Sequence, residues 1–367
     1  MTPKIPRIGS ARRQAVSSAA DLVQRRLMFP ARAGLARPGP LCCEPTMPGL
    51  DLIDWARAHR QELDALLLNH GSILFRRFSV PGVAGFHDAV GALSDGALHY
   101  RFRASPRTQV DAERPVYTST DYPAGESIFP HNEHSYSPVF PRKLFFYCEL
   151  PSPEGGQTPV GDTRDVLERI APRIRDAFAS RGIMYVRNFG DGFGLPWRTV
   201  FQTDDRAAVE RYCADQGISV EWKPGDRLRT RQVGPALVRH PVSFETVWFN
   251  HGTFFHATSL PAGVRDTLIA EFLPEDLPQN TFYGDGSPIE PDVIASLRDI
   301  YLGAMGGFPW QAGDVLMLDN ILSLHGRDPY RGPRRILTAM AEPTRAADIA
   351  LNAPPETVSP TLEPAAR

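Results

Sequence analysis

From residue 143 onward the chain alternates short apolar runs with turn formers. KLFFYCEL is followed by PSPEGG and QTPVGD, and IMYVRNF comes after a helical stretch; EWKPGDRLRTRQ, ALVRHPVSFETVWFNH, GDVLMLDN and RRILTAMAEP follow. Runs this short, bounded by Gly and Pro, read as strands and turns. Such a density of short strands is accommodated in a layered or closed β core, a sandwich or barrel with inserted helices. No internal repeat is present.

Helical stretches sit around that core. In DLIDWARAHRQELDALLLNH, residues 51–70, Leu52, Ile53, Trp55, Leu63, Leu66 and Leu67 recur at helical spacing, and Gly71 ends the run before the apolar strand SILFRRF. Residues 84–94 read as a second short helix and 95–128 as turn-rich. DVLERIAPRIRDAFASRG reads as one helix closed by Gly182, and RAAVERYCADQG as another. GDGFG, residues 190–194, lacks the strand–GxGxxG–helix context of a nucleotide site and reads as a loop at a pocket mouth.

The chain has 367 residues, enough to bury a sizeable core, and its 42% hydrophobic and 22% charged content is that of a globular protein. A net charge of −2 gives no global basic field for nucleic acid. No apolar run approaches the ~18 residues of a membrane span. The four cysteines, Cys42, Cys43, Cys148 and Cys213, have no CxxC spacing, which suits a reducing, cytoplasmic setting. Residues 1–45 form a basic segment, with Lys4, Arg7, Arg12, Arg13, Arg25, Arg26, Arg32 and Arg37 against Asp21 in its first forty. An arm over the domain surface is expected there, with an organelle transit peptide as the alternative. Residues 46–345 are expected to form one domain, and 346–367, rich in Ala, Pro and Thr, a loose tail.

FPHNEHSYSP, residues 129–138, carries the chemistry. At the end of a strand, His131 and Glu133 share a face, so an imidazole and a carboxylate can meet at one point. Two histidines and one carboxylate form the facial set of non-haem iron sites, with three positions left open. GDVLMLDNILSLHGRDPYRGPRRILTAM, residues 313–340, offers the missing histidine, His325. Ten residues later comes Arg335, at the start of a buried strand, where an arginine needs an anion and its fork suits a carboxylate. His134 reads as structural support. His251 and His256, with His240, are a weaker candidate metal group.

These stretches, with YVRNFGDGFGLPW and HPVSFETVWFNHGTFFH, resemble the TauD/TfdA family of Fe(II)- and 2-oxoglutarate-dependent dioxygenases over roughly residues 10–345, and within it the SyrP-like branch. The resemblance implies a mixed α/β chain with a mainly β core: a double-stranded β-helix, or jelly roll of clavaminate synthase type, with flanking helices. It implies His131, Glu133 and His325 as iron ligands, with Arg335 and Thr158 on the distal carboxylate of 2-oxoglutarate. Tyr117, Ser119, Asn250, His251 and Asn320 become candidates for the substrate pocket. Fe(II), 2-oxoglutarate and O2 would be required, with ascorbate supportive.

The resemblance further implies hydroxylation of an amino acid side chain, free or tethered to a peptidyl carrier protein, in secondary metabolism. Related halogenases carry Ala or Gly at the carboxylate ligand, so Glu133 favours oxygenation. Taurine dioxygenase and clavaminate synthase-like relatives place a second arginine four residues after the clamp; here that residue is Ala339. A sulfonate substrate is therefore disfavoured, and a free carboxylate would need Arg187, Arg198 or Arg239. Desaturation, epoxidation and hydroxylation of a free small acid remain alternatives on the same iron, and a non-catalytic metal-binding jelly-roll module is the alternative of another class.

Overall fold

The computed structural model describes residues 22–29, 39–96, 108–111, 113–120, 122–190, 195–260 and 262–351. Most of the basic N-terminal segment, residues 191–194 of the glycine-rich loop and the tail beyond 351 lie outside them. Seven strands make the main sheet, in the order Val23–Leu27, Leu41–Pro45, Ser72–Phe75, Val315–Asp319, Val139–Leu150, Arg335–Arg345, Tyr117–Thr118. All neighbours are antiparallel except Leu41–Pro45 with Ser72–Phe75. The described part of the N-terminal segment thus adds two strands to this sheet.

Strand alternation gives the sheet two apolar faces. Phe145, Tyr147, Val315, Met317, Leu337 and Ala339 pack against Leu52, Trp55, Leu63 and Phe86 of the helices Leu52–His70 and Gly82–Leu93. The first helix is capped as its sequence indicates: Asp51 accepts from the N–H groups of Ile53 and Asp54, and Gly71, at φ 71°, closes it. Leu144, Phe146, Leu316, Leu318, Ile336 and Met340 form the opposite face. Against it lies a three-stranded sheet, ordered Ile128–His131, Ser323–Arg327, Val160–Asp162. A four-stranded sheet, ordered Ile218–Lys223, Arg227–Gly234, Ile183–Phe189, Gln279–Tyr283, packs with helices beyond it. The chain is therefore strand-rich and mixed α/β, and no described helix is long and apolar enough to cross a membrane.

The stretch read as one helix from 165 to 182 is two, Thr163–Arg169 and Pro172–Arg181. Pro172 has no N–H to continue the first and forces Ala171 out of helical geometry (ψ 137°), yet suits the first position of the second. The helices Ala262–Glu271 and Pro291–Ala304 were not anticipated. The second of these has the same start signal, a proline at its first turn. All four cysteines are buried free thiols.

The strand Val315–Asp319, which leads into the site, is anchored at its start by a buried ion pair. Arg76 Nη2 donates to Asp314 Oδ2 at 2.7 Å and Nε to Oδ1 at 3.0 Å. Asp314 Oδ2 also accepts from Gln311 N. Asp314→Ala leaves the Arg76 charge buried and unpaired, and a loss of about 3–5 kcal/mol is expected in urea unfolding. An unchanged midpoint would show that the pair does not anchor the strand.

Candidate metal centre and the adjoining pocket

His325 lies mid-strand, flanked on both sides. It is the register partner of His131 on one neighbour and of Val160 on the other. This pairing brings together residues almost two hundred positions apart. His131 Nδ1 lies 2.8 Å from Phe129 O. A carbonyl only accepts, so Nδ1 carries the proton and Nε2 keeps its lone pair. That Nε2 is 4.0 Å from Glu133 Oε2, and His325 Nε2 is 3.7 Å from the same oxygen. One donor atom from each of the three residues lies within 4.8 Å of the others. Two imidazole nitrogens and a carboxylate converging this closely can hold a divalent metal.

Glu133 does not sit on the strand that the His-x-Glu reading assumed. The strand Ile128–His131 ends at His131, and Glu133 is carried by the following turn. His134 beside it has φ 57°, a left-handed conformation that costs a non-glycine residue free energy. Two asparagines hold the turn. Glu133 N donates to Asn320 Oδ1 at 2.7 Å, and Asn320 Nδ2 donates to Glu133 O and Pro141 O, both at 2.8 Å. Asn132 Nδ2 donates back to Asn320 O and Ser323 O. Asn320 was expected to line the substrate pocket; instead its amide is used on the peptide of Glu133. His134, expected to support the site, is buried with Nε2 3.2 Å from Glu133 Oε1.

The turn that carries Asn320 is itself fixed. Asp319 Oδ1 accepts from Ile321 N and Leu322 N, and Oδ2 lies 3.0 Å from His240 Nε2. His240 Nδ1 accepts two backbone N–H groups, so Nε2 carries the proton that it donates to Asp319. His256 bonds Thr258 instead, and burial with the nearby Arg298 pushes it down to about 4. The alternative metal group of His240, His251 and His256 is therefore not assembled.

A pocket of about 390 Å³ opens beside the two histidines of this group, lined by His131, His325, Thr158, Ser119, Arg327 and Arg334, with Phe146 and Ile336. None of its lining residues is acidic. Thr158 Oγ1 accepts from Trp310 Nε1 at 3.1 Å, which leaves its O–H free to donate into the pocket. Arg334 Nε donates to Gly156 O at 3.0 Å. A Cβ on Gly156, which has φ 68°, would meet Arg334 Cδ at 3.0 Å, so glycine there permits the approach. Burial, and then the charge of Arg327, push the Arg334 guanidinium down to about 10. Such a site favours an anion, which would offset both causes.

Arg335, expected as the carboxylate clamp, is turned away. Its side chain is 51% exposed and pairs with Glu149 at 2.7 Å. The cause is alternation at the strand's start. Arg335 shares a face with Leu337 and Ala339, the helix-packed side, but lies beyond the helices in solvent; Arg334 and Ile336 face the pocket. A bulge skips Glu149 there, pairing Arg335 with Leu150 and Ile336 with Cys148. The position four residues after Arg334 is Thr338, buried and bonded to Phe145 O, so a second arginine is missing in this register as well.

The remaining candidates divide. Ser119 lines the pocket. Tyr117 is buried in sheet pairing with Thr338. Asn250 is spent on Gly252 N and Ala236 O, shaping the turn before His251. His251 packs 5.5 Å from the His131 ring, and its Nδ1 is 3.0 Å from Ser135 Oγ. Burial, then His131, hold it well below the ordinary histidine value, so it is neutral. Arg327 and Trp310 escaped the sequence reading; Arg327 stands two residues after His325, at the pocket-facing parity that could have marked it.

The family described as "Taurine catabolism dioxygenase TauD, TfdA family" matches residues 36–340. Dapdiamide synthesis protein DdaC of Enterobacter agglomerans is 39% identical over 281 residues, 77% of this chain and 85% of that protein. A clavaminate synthase-like protein of Arabidopsis thaliana is 31% identical over 297 residues, 78% of this chain and 86% of that protein. The fold is similar to that of PvcB, an Fe, alpha-ketoglutarate dependent oxygenase from an isonitrile synthetic pathway. Its TM-score is 0.52 at 17% identity, over 88% of this chain and 94% of that one. The structure of PvcB from Pseudomonas aeruginosa gives 0.52 at 16%, over 93% and 97%.

Asn320→Ala removes the two-way hold on Glu133. Fe(II) affinity in an anaerobic titration is expected to fall ~10–100-fold, with about 1–3 kcal/mol lost in stability. Wild-type iron affinity in a folded Asn320→Ala protein would remove Asn320 from this role.

Proposed function

The chain belongs to the TauD, TfdA family of dioxygenases, and from that premise we propose that it hydroxylates an amino acid unit, free or tethered to a carrier protein, in secondary metabolism. The enzyme class brings its requirements: Fe(II), 2-oxoglutarate and O2. The substrate reading draws on the dapdiamide synthesis relative. We read residues 46–345, extended by the strand Leu41–Pro45, as one catalytic domain, and its two facing sheets as a double-stranded β-helix.

One observation carries the site assignment: two of the three converging ligand residues, His131 and His325, line a pocket that holds two arginines and no acid. His131, Glu133 and His325 would hold Fe(II). The pocket beside them suits a dianion whose far carboxylate meets Arg334 and the Thr158 hydroxyl. Arg334, rather than Arg335, is the clamp. When bound, iron with 2-oxoglutarate supplies the oxidising power: O2 and 2-oxoglutarate become succinate and CO2, and a substrate C–H becomes C–OH.

The chain's residues supply geometry. The carbonyl of Phe129 fixes the His131 tautomer, so Nε2 keeps the lone pair that would hold the metal. Trp310 donates to the Thr158 oxygen, so the Thr158 O–H would be left to donate to the co-substrate. Phe146, its ring 5.3 Å from that of His325, and Ile336 keep water from the pocket wall. Neutral His251 and Phe254, rings 5.5 and 4.8 Å from that of His131, cover its other side.

The test is succinate release from 2-oxoglutarate with Fe(II), ascorbate and O2, against free amino acids and the same amino acids loaded on carrier proteins. Stimulation by a loaded carrier alone names a tethered substrate; stimulation by a free amino acid removes the carrier. Arg334→Ala is expected to raise the 2-oxoglutarate requirement at least ~10-fold, the loss of a charged hydrogen-bond partner, while Arg335→Ala leaves it unchanged. The reverse ranking would return the clamp to Arg335.

A further inference from the structure

The family match begins at residue 36, but the strand Val23–Leu27 lies ahead of it and pairs along its whole length with Leu41–Pro45. The chain leaves that strand through Met28 and Phe29, which pack on the apolar cluster containing Phe308 and Trp310. The Phe29 ring lies on the backbone of Gly306: a Cβ there would meet its Cδ2 and Cε2 at 2.9 Å. Glycine at 306 is what permits this approach.

The segment under the ring runs along one wall of the co-substrate pocket. Gly306 N donates to Val160 O at 2.8 Å, and Val160 N donates to Gly306 O at 2.9 Å. Val160 is the register partner of His325, so Gly306 adds one position to the row that ends at His131. Four residues on, Trp310 Nε1 donates to Thr158 Oγ1. The Trp310 ring meets that of Phe308 edge-on, with centroids 4.8 Å apart. Arg76 Nη2 donates to Pro309 O at 2.7 Å. The segment is thus held at Pro309 by Arg76 and covered at Gly306 by Phe29.

We propose that Phe29 is a positioning residue for 2-oxoglutarate. By covering residues 306–310 it keeps Trp310 on the Thr158 oxygen, and through Trp310 it aims the Thr158 hydroxyl at the distal carboxylate. The inference rests on the oxygenase reading and extends its site to a residue outside the family match. A hydroxyl rotates to suit whatever partners it has, so a Thr158 oxygen released by Trp310 and met by water would lose its single orientation. The metal ligands are held by other groups, Phe129 O for His131 and Asn320 for Glu133, so the effect falls on the co-substrate.

The experiment uses the full-length protein, titrated anaerobically with Fe(II) and then with 2-oxoglutarate. Iron affinity and the visible charge-transfer band of the chelate are read separately. Phe29→Ala is expected to raise the 2-oxoglutarate half-saturation about 3–10-fold, the effect of roughly one hydrogen bond, with iron affinity unchanged. Phe29→Leu should restore most of the loss. In a Thr158→Ala background Phe29→Ala should have no further effect, because the two residues act as one unit. Gly306→Ala, whose methyl would displace the same ring, supplies a second variant with the same expected pattern should Phe29→Ala fail to fold. An unchanged half-saturation in the folded variant, the same fold-change in the Thr158→Ala background, or an equal fall in iron affinity overturns the role. Absence of the band in the wild type is a separate result and overturns the oxygenase reading on which the role rests.

Discussion

The centre of this protein depends on one side-chain amide. Glu133 lies two residues past the end of its strand, beyond the ladder hydrogen bonds, on a turn whose next residue is left-handed. Its peptide would be free to swing if Asn320 did not take both its N–H and its C=O. Asn320 in turn stands on a turn fixed by Asp319, and Asp319 by a fully buried His240. These polar groups satisfy one another inside the core, where an unpaired amide costs about 1–3 kcal/mol. The metal geometry is thus set by a hydrogen-bonded chain reaching well behind the ligands.

Charge placement is the second organising fact. The converging ligands carry one carboxylate, while the adjoining pocket carries two arginines and three hydroxyls. Neither half is neutral by itself in a low-dielectric interior. A divalent cation and a dianionic co-substrate would offset both halves together. Arg76 with Asp314 shows the contrasting solution, a buried pair closed within the protein and serving the sheet.

Much of this was legible in the sequence. The alternation of short strands gave the strand-rich core, Gly71 ended the first helix, and the HxE…H pattern led to three residues that the fold brings together. Other parts depend on tertiary detail that spacing does not encode. Alternation from the start of the strand puts Arg335 on the face of Leu337 and Ala339, where it pairs with Glu149, and leaves Arg334 on the pocket side. Strand parity suggested why His131 and Glu133 meet, but a turn braced by residues nearly two hundred positions away is what brings them together. The family resemblance put Asn250 and Asn320 in the substrate pocket; in the fold their amides are taken by backbone groups. Pro172, read as one residue in a continuous helix, divides it.

The most direct test of the central claim is an anaerobic titration of the protein with Fe(II) and then 2-oxoglutarate, followed in the visible region. The account predicts a charge-transfer band that requires both additions, disappears in His325→Ala, and in Arg334→Ala returns only at raised 2-oxoglutarate. Tight iron binding with no band at any 2-oxoglutarate concentration would contradict it, because the metal centre and the arginine pocket would then not form one site.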